Sequence, residues 1–240
     1  MSKLYVFGDS YSTPNFCVDP KDSWWGLLAS ALGSKISAVD NYSWGGNNID
    51  SIGHVMINLC KDFKQDDYVA VAIPPLQRLT MFNPNENREY KATLYDAQLR
   101  EQDQVDVLSH TGLMQYGVHQ MDKKFIDLWN PSWIEAQVLR QILTLDSFLK
   151  HWVENIIWIN SSVPLQTLTQ WPVLTTLQKL ALEKDNFNLF EKTYYSVNFE
   201  KNKPVDFDEW GWMGHQGAVG NHTWYNESIG PMVTKLGWLN

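Results

Sequence analysis

The six residues Tyr68-Val-Ala-Val-Ala-Ile73 constrain this chain more than any other stretch. A short run that is nearly all apolar, with no polar alternation, reads as a β-strand covered on both faces. Such strands belong to parallel sheets enclosed by helices. Pro74-Pro75 ends the run abruptly. Leu4 to Phe7 (stopped by Gly8), Lys35 to Val39, and Asn155 to Asn160 read as its companions. Helical spacing of apolar residues fills the intervals. Residues 22–32 form one such segment, with Gly33 as its stop, and Ile49, Ile52, Val55, Met56, Leu59 and Cys60 mark a second, capped by Asn47 or Asn48. A third opens at Pro131 and carries a stripe from Ile134 through Leu149 to Trp152. A fourth contains Leu174, Leu177, Leu180 and Ala181, and a last runs over about 220–236, where Gly230-Pro231 should break or kink it.

Strand and helix alternate, so the expected fold is α/β: a three-layer, flavodoxin-like sandwich with a central parallel sheet and helices on both faces. One domain spans residues 1–240. Residues from 76 to about 130, rich in Gln, Asn, Asp and Glu and without a clear strand period, read as an irregular insertion with some helix.

Composition narrows the function classes. With 44% hydrophobic and 19% charged residues, the chain can bury one substantial core and is not disordered. An excess of 27 acidic over 19 basic side chains, with no basic run, excludes non-specific nucleic-acid binding. Cys17 and Cys60 form neither a disulfide framework nor a metal-ligand spacing. No metal and no cofactor are expected. No stretch approaches the ~18–20 apolar residues that span a bilayer, and the N-terminus has no signal-peptide pattern. We expect no membrane partner and a cytoplasmic location, with a virion or another leaderless export route as the remaining destinations. The anomaly is tryptophan, with 12 residues. Trp152 and Trp158 fall on core stripes, and Trp24 and Trp25 are adjacent on a helix and should not share one face. Trp44, Trp210, Trp212 and Trp224 flank the polar loops considered next.

In open parallel sheets the ligand site lies beyond the carboxyl ends of the strands. Gly8-Asp9-Ser10 follows the first strand, Asn41 to Asn48 the second, and Pro74 to Arg78 the third. Gly214-His215 with Gly217 and Gly220 precedes the last helix. A serine on a glycine-tight turn can project its hydroxyl into such a cleft, but it needs a base, usually histidine. A Gly-Gly loop such as Gly45-Gly46 can offer backbone N–H groups to an oxyanion. These are the parts of an acyl-transfer site. Asp9 reads as a structural carboxylate bonding nearby N–H groups. Asp66-Asp67 reads as a solvated turn, and His222 suits a structural role as well as a functional one.

Val6-Phe7-Gly8-Asp9-Ser10-Tyr11-Ser12 resembles the first sequence block of the SGNH (GDSL-type) hydrolases, whose GDS serine is the nucleophile. Asn41 to Ile49 resembles their second block, whose glycine N–H joins the oxyanion hole. Gly45 fits that role first and Gly46 second. Gly214-His215 resembles their fifth block, which carries the catalytic histidine. The resemblance implies a serine esterase in which Ser10 attacks and His215 serves as base, with no cofactor.

Two positions depart from the family pattern. The third-block Asn is replaced by Ile73-Pro74-Pro75, so Arg78, Asn47 or Asn48 would have to supply that donor. The acid two or three residues before the histidine is replaced by Trp212 and Met213. The nearest acids are Asp208 and Glu209, and without one of them Ser10 and His215 would act as a dyad. Trp44 and Trp212 suit a sugar ring or an acyl chain, and the expected substrate is a small-molecule or glycan ester. The departures leave a second reading, a catalytically impaired glycan-binding module. A phosphate-binding α/β protein is weaker, because no GxGxxG or GxxxxGK[ST] loop occurs.

Overall fold

The computed structural model describes residues 1–14, 19–45, 47–74, 78–83, 88–93, 131–161, 165, 171–194, 196–200 and 217–239. Strands β1 (Ser2–Phe7), β2 (Ile36–Asn41) and β3 (Tyr68–Ile73) lead the chain, followed by β4 (Arg78–Asn83) and β5 (Arg88–Thr93). Strands β6 (Asn155–Asn160) and β7 (Phe187–Asn188) come last. Five of them form one parallel sheet in the order β2-β1-β3-β6-β7. The expected sandwich with a central parallel sheet is the one observed, and its strand order is that of flavodoxin-like folds.

Registers across the centre pair Leu4 with Tyr68 and Val6 with Ala70, then Tyr68 with Asn155 and Ile73 with Asn160. Because side chains alternate along a strand, each central strand feeds two cores. Tyr5, Phe7, Val69, Val71, Ile73, Ile156 and Trp158 point to one of them. Leu4, Val6, Ala70, Ala72, Ile157 and Ile159 point to the other. This double burial is why β3 carries no outward polar residue. The edge strand β2 is half open and reads Ser-Ala-Val-Asp in its middle.

Helices α2 (Ile49–Leu59), α3 (Pro131–Leu149) and α4 (Pro172–Leu182) cover the first face. Helix α1 (Trp24–Leu32) and the C-terminal helices α5 (Ala218–Trp224) and α6 (Gly230–Lys235) cover the second. Local chemistry sets their ends. The Ser23 hydroxyl accepts from Gly26 N–H at the start of α1, and Gly33 stops it with φ +53°. Asn48, not Asn47, caps α2 by accepting from Ser51 N–H at 2.9 Å.

Several expectations are corrected. Trp24 and Trp25 are both buried in one core, because the start of α1 is enclosed by the sheet, the C-terminal helices and the turn Pro20–Asp22. Trp224 is not at a cleft rim. It is fully buried, edge-on to Trp24 at 5.6 Å and to Tyr194 at 5.1 Å. Trp152 is exposed, since α3 ends at Leu149 and leaves it in the following turn. Asp67 is buried, accepting from the N–H groups of Lys3 (2.7 Å) and Lys64 (2.8 Å), and so ties the turn before β3 to β1. Gly230-Pro231 does not break the last helix. A π-helical turn, Tyr225–Ile229, precedes it and lets Gly230 N–H reach Tyr225 O, so the bond that Pro231 cannot make is absorbed in a wider turn. Within 76–130, β4 and β5 pair as an antiparallel ribbon from Arg78–Thr93 to Asn83–Arg88. Their sequences mix charged and apolar residues without the run that marks a doubly buried strand.

Among the buried carboxylates, Asp146 is held by two lysines. The fully buried carboxylate of Asp146 on α3 accepts from Trp158 Nε1 (3.1 Å), Asn186 Nδ2 (2.8 Å), Lys184 Nζ (2.8 Å) and Lys150 Nζ (3.1 Å). Burial by itself would raise its pKa. The lysines and the Asn186 amide outweigh that and hold it below the ordinary carboxylate range. The unfolded chain therefore binds this proton more readily than the folded one. The stabilisation is complete above the unfolded value of ~3.9 and drains away as pH falls through the lower folded value.

Two outcomes are expected in denaturant or thermal unfolding. Asp146→Asn should lose about 1–3 kcal/mol near neutral pH, and the gap from wild type should narrow as the pH is taken below ~4. Gly26→Ala should lose about 1–3 kcal/mol or more, because its new methyl would lie 1.9 Å from the Pro20 carbonyl oxygen.

Candidate active site

β1 lies between β2 and β3: the connection from β1 to β2 runs through α1 on one face of the sheet, and the connection from β2 on to β3 returns past β1 through α2 on the other. That reversal opens a crevice at the carboxyl ends of β1 and β3, where open α/β sheets bind ligands. Gly8-Asp9-Ser10 emerges there directly from β1.

The turn that carries Ser10 is held by its own backbone. Ser12 N–H donates to Asp9 O (2.9 Å), and Thr13 Oγ1 donates to the same oxygen (3.0 Å). The fully buried Asp9 carboxylate accepts from Tyr11 N–H at 3.1 Å, the structural role its position suggests. Gly8 is required by close approach: a methyl there would lie 2.5 Å from Ser12 Oγ and 3.2 Å from the Ala72 methyl. Ser12 Oγ in turn accepts from Trp24 Nε1 at 3.1 Å in the buried interior. Ser10 itself is 9% exposed, sheltered at the mouth of the crevice.

The loop after β2 is fastened to this turn. Tyr42 N–H donates to Val6 O (2.8 Å) and Trp44 N–H to Gly8 O (3.3 Å), prolonging the β1–β2 ladder past the strand ends. Asn47 Nδ2 donates to the same Gly8 oxygen at 3.0 Å, and Asn41 Nδ2 donates to Ser12 O at 2.8 Å. Gly45 sits at the tip of this loop, and a methyl there would meet nothing within 4 Å. Trp44 beside it is 70% exposed, a large apolar face turned outward next to a polar turn. Asn48 is buried with its side-chain oxygen engaged by the N-terminus of α2.

The remaining candidates divide into those the structure describes and those it does not. Arg78 opens β4, five positions after the end of β3, and pairs with Thr93. Gly46, Asp208, Trp212 and His215 lie outside the described residues, as do Glu209 and Trp210. The Gly217 carbonyl accepts from Asn221 Nδ2 at 3.1 Å. Asn221 Oδ1 accepts from Trp24 N–H at 3.0 Å, and Trp24 is the residue bonded to Ser12. Two links thus join the chain after position 215 to the Ser10 turn. His222 meets Asp22 at 3.4 Å on the surface, a contact between α5 and the Pro20–Asp22 turn. At the end of β3, the Ile73 carbonyl accepts from both Ser161 N–H (3.2 Å) and Ser161 Oγ (2.8 Å).

Sequence reasoning did not find Ser12, Trp24, Asn41 or Asn221 as parts of this network, nor the tie from Asn47 to Gly8. The one available signal was the density of Asn after β2, since Asn side chains favour bonding to turn backbone. Among the described residues there is no cluster of three or more metal-ligating side chains, and no helix is long and apolar enough to cross a membrane. A cavity of about 330 Å3, lined by Lys150, Lys184, Asn186 and Trp238 among others, lies at the amino ends of β6 and β7, away from Ser10.

No family model and no curated protein sequence matches the chain. Solved structures do match in fold. One is an alpha/beta hydrolase enzyme from the metagenome of Lake Arreo, Spain, with a TM-score of 0.52 and 14% identity over 100% of this chain and 96% of that one. A second is a catalytic mutant of an acetylxylan esterase from Geobacillus stearothermophilus, at 0.51 and 13%, covering 96% of this chain and 94% of that one. A third is an acetyl xylan esterase from the rumen bacterium Butyrivibrio proteoclasticus, at 0.51 and 13%, covering 99% of this chain but only 65% of that one. At such identities the likeness is one of fold.

The two glycines should respond oppositely to a methyl group. Gly8→Ala should lower the thermal midpoint clearly, by about 1–3 kcal/mol of overpacking, because Ser12 and Ala72 stand in its way. Gly45→Ala should leave the midpoint within about 0.5 kcal/mol of wild type, as for other unobstructed surface positions.

Proposed function

We propose that this chain is a serine hydrolase of carboxylic esters. The observation that carries the reading is the position of Ser10. It stands on a glycine-tight turn at the carboxyl end of β1, beside the reversal in strand order, with the Gly45 loop bonded to the carbonyl two residues before it. The esterases among the structural neighbours support it at the level of fold.

In the proposed reaction Ser10 Oγ attacks the acyl carbon while His215 takes its proton, and the carbonyl oxygen becomes an oxyanion received by the N–H groups of Ser10 and Gly45. Collapse releases the alcohol, which takes the proton back from His215. Water, deprotonated by the same imidazole, then attacks the acyl-enzyme and frees the acid and Ser10. Asp208 is the proposed acid that orients His215, with Glu209 as the substitute. Gly46, Asn48 and Arg78 are the further candidates for oxyanion or substrate contacts. Trp44 and Trp212 would form the aromatic rim. An exposed indole on the loop that is bonded to the Ser10 turn suits a sugar ring, so an acyl group carried on carbohydrate is the proposed substrate.

A second reading rests on the end of β3, where Ile73-Pro74-Pro75 has no Asn. It makes the chain a glycan-binding module that retains the crevice and the Trp44 face without turnover.

One experiment separates the two. Incubation with a fluorophosphonate probe should label Ser10, and hydrolysis of p-nitrophenyl acetate should fall by at least about 10³-fold in Ser10→Ala and in His215→Ala. Absence of labelling, with hydrolysis the same in Ser10→Ala, would sink the esterase and favour the binding module. Asp208→Asn should lower kcat by up to roughly 10⁴-fold if it completes a triad. Unchanged turnover in both Asp208→Asn and Glu209→Gln would leave a Ser–His dyad.

A further inference from the structure

An oxyanion hole demands accuracy from residues that never touch the substrate. Its donors must lie about 2.7–3.1 Å from one shared point, and a misplacement of about 1 Å can cost roughly 10²-fold in rate. Ser10 and Gly45 belong to different loops, after β1 and after β2, so something must fix their separation.

The bonds that do so converge on the Gly8 carbonyl. It accepts from Trp44 N–H at 3.3 Å, near the long end for a hydrogen bond, and from Asn47 Nδ2 at 3.0 Å. Asn47 is buried, and its own N–H donates to Trp44 O at 3.1 Å. The residue therefore holds the loop on either side of Gly45: its backbone reaches the residue before Gly45, and its side chain reaches the turn before Ser10. Gly8 is a firm anchor because Ser12 and Ala72 crowd it. At the far end of the Ser10 turn, Asn41 Nδ2 holds Ser12 O at 2.8 Å, while Asn41 Oδ1 accepts from Ser43 N–H at 2.8 Å. Gly45 lies at the open tip, where a methyl would meet nothing within 4 Å, so local packing does not set its place.

Building on the serine-hydrolase reading above, we propose that Asn47 is a positioning residue whose side-chain amide fixes the Gly45 N–H relative to the Ser10 N–H, so that both reach one oxyanion. It acts through its bond to the Gly8 carbonyl. The oxyanion forms only in the transition state, so loss of this tie lowers kcat while ground-state binding of the ester is kept.

The test compares Asn47→Ala and Asn47→Asp with wild type in p-nitrophenyl acetate hydrolysis by the full chain, with melting curves alongside. The aspartate keeps the size of asparagine but sets an acceptor against the Gly8 carbonyl. Asn188→Ala serves as control, because it removes another side-chain amide bond, to Ser228 Oγ at 2.7 Å, on the edge strand β7. The expected result is a fall in kcat of roughly 10- to 100-fold in both Asn47 variants, with KM within about twofold of wild type and Asn188→Ala close to wild type. Unchanged kcat in either folded variant overturns the proposal, as does a loss carried by KM or shared equally by Asn188→Ala. If neither variant folds, Asn47 belongs to stability and the proposal also falls. A wild-type chain whose Ser10 takes no fluorophosphonate overturns the hydrolase reading and this one with it. A labelled, active wild type with unaffected Asn47 variants overturns this one alone.

Discussion

Burial of β1 and β3 on both faces is the condition from which the rest follows. Tyr5, Phe7, Val69 and Val71 supply one core and Leu4, Val6, Ala70 and Ala72 the other. In the covered part of such a strand an unpaired polar group would cost about 1–3 kcal/mol. Polar chemistry is pushed to the strand ends. At the carboxyl end of β1 the chain turns at once through Gly8, Asp9 and Ser10, and the β2–β1–β3 order opens the crevice at that same point.

What surrounds Ser10 is a connected set of backbone carbonyls and buried side-chain amides, not a single motif. Gly8 O and Ser12 O receive Asn47 and Asn41, and Ser12 Oγ receives the Trp24 indole. Asn221 then reaches from the C-terminal helices to Trp24. Each of these polar groups is satisfied locally, as buried polar groups must be. Together they join segments far apart in sequence, from the second strand loop to the last helical run. A further buried polar centre, around Asp146, joins α3, β6 and the turn before β7.

The legible parts of this fold were those with a strong local signature. Unbroken apolar strands, Gly33 as a helix stop, Pro131 at a helix start and a cap at Asn47 or Asn48 were all readable, because each reflects a backbone or burial demand felt within a few residues. The ribbon of β4 and β5 was not, since two strands that pair only with each other impose no doubly apolar pattern. β7 has two residues, too few for any period. Trp224 was misplaced because adjacency in sequence to a polar loop does not determine which way a helix face turns. At the site, the GDS turn and the Gly45 loop stood out by residue type. The fastening of one to the other through Asn47 and Gly8 did not, because it joins residues whose separation of 39 positions closes only in the folded sheet.

By itself, then, the sequence determined the class of fold, the position of Ser10 at the end of a buried strand, and the two glycines Gly8 and Gly33, where the backbone is crowded or turned. These follow from local rules of burial and dihedral freedom, which act wherever the chain goes. Only the tertiary structure decided which tryptophans are core, which asparagines carry the loops, and how the Gly45 loop sits against the Ser10 turn. Those outcomes depend on parallel pairing of β1 with both β2 and β3. That pairing is non-local, and no window of neighbouring residues contains it.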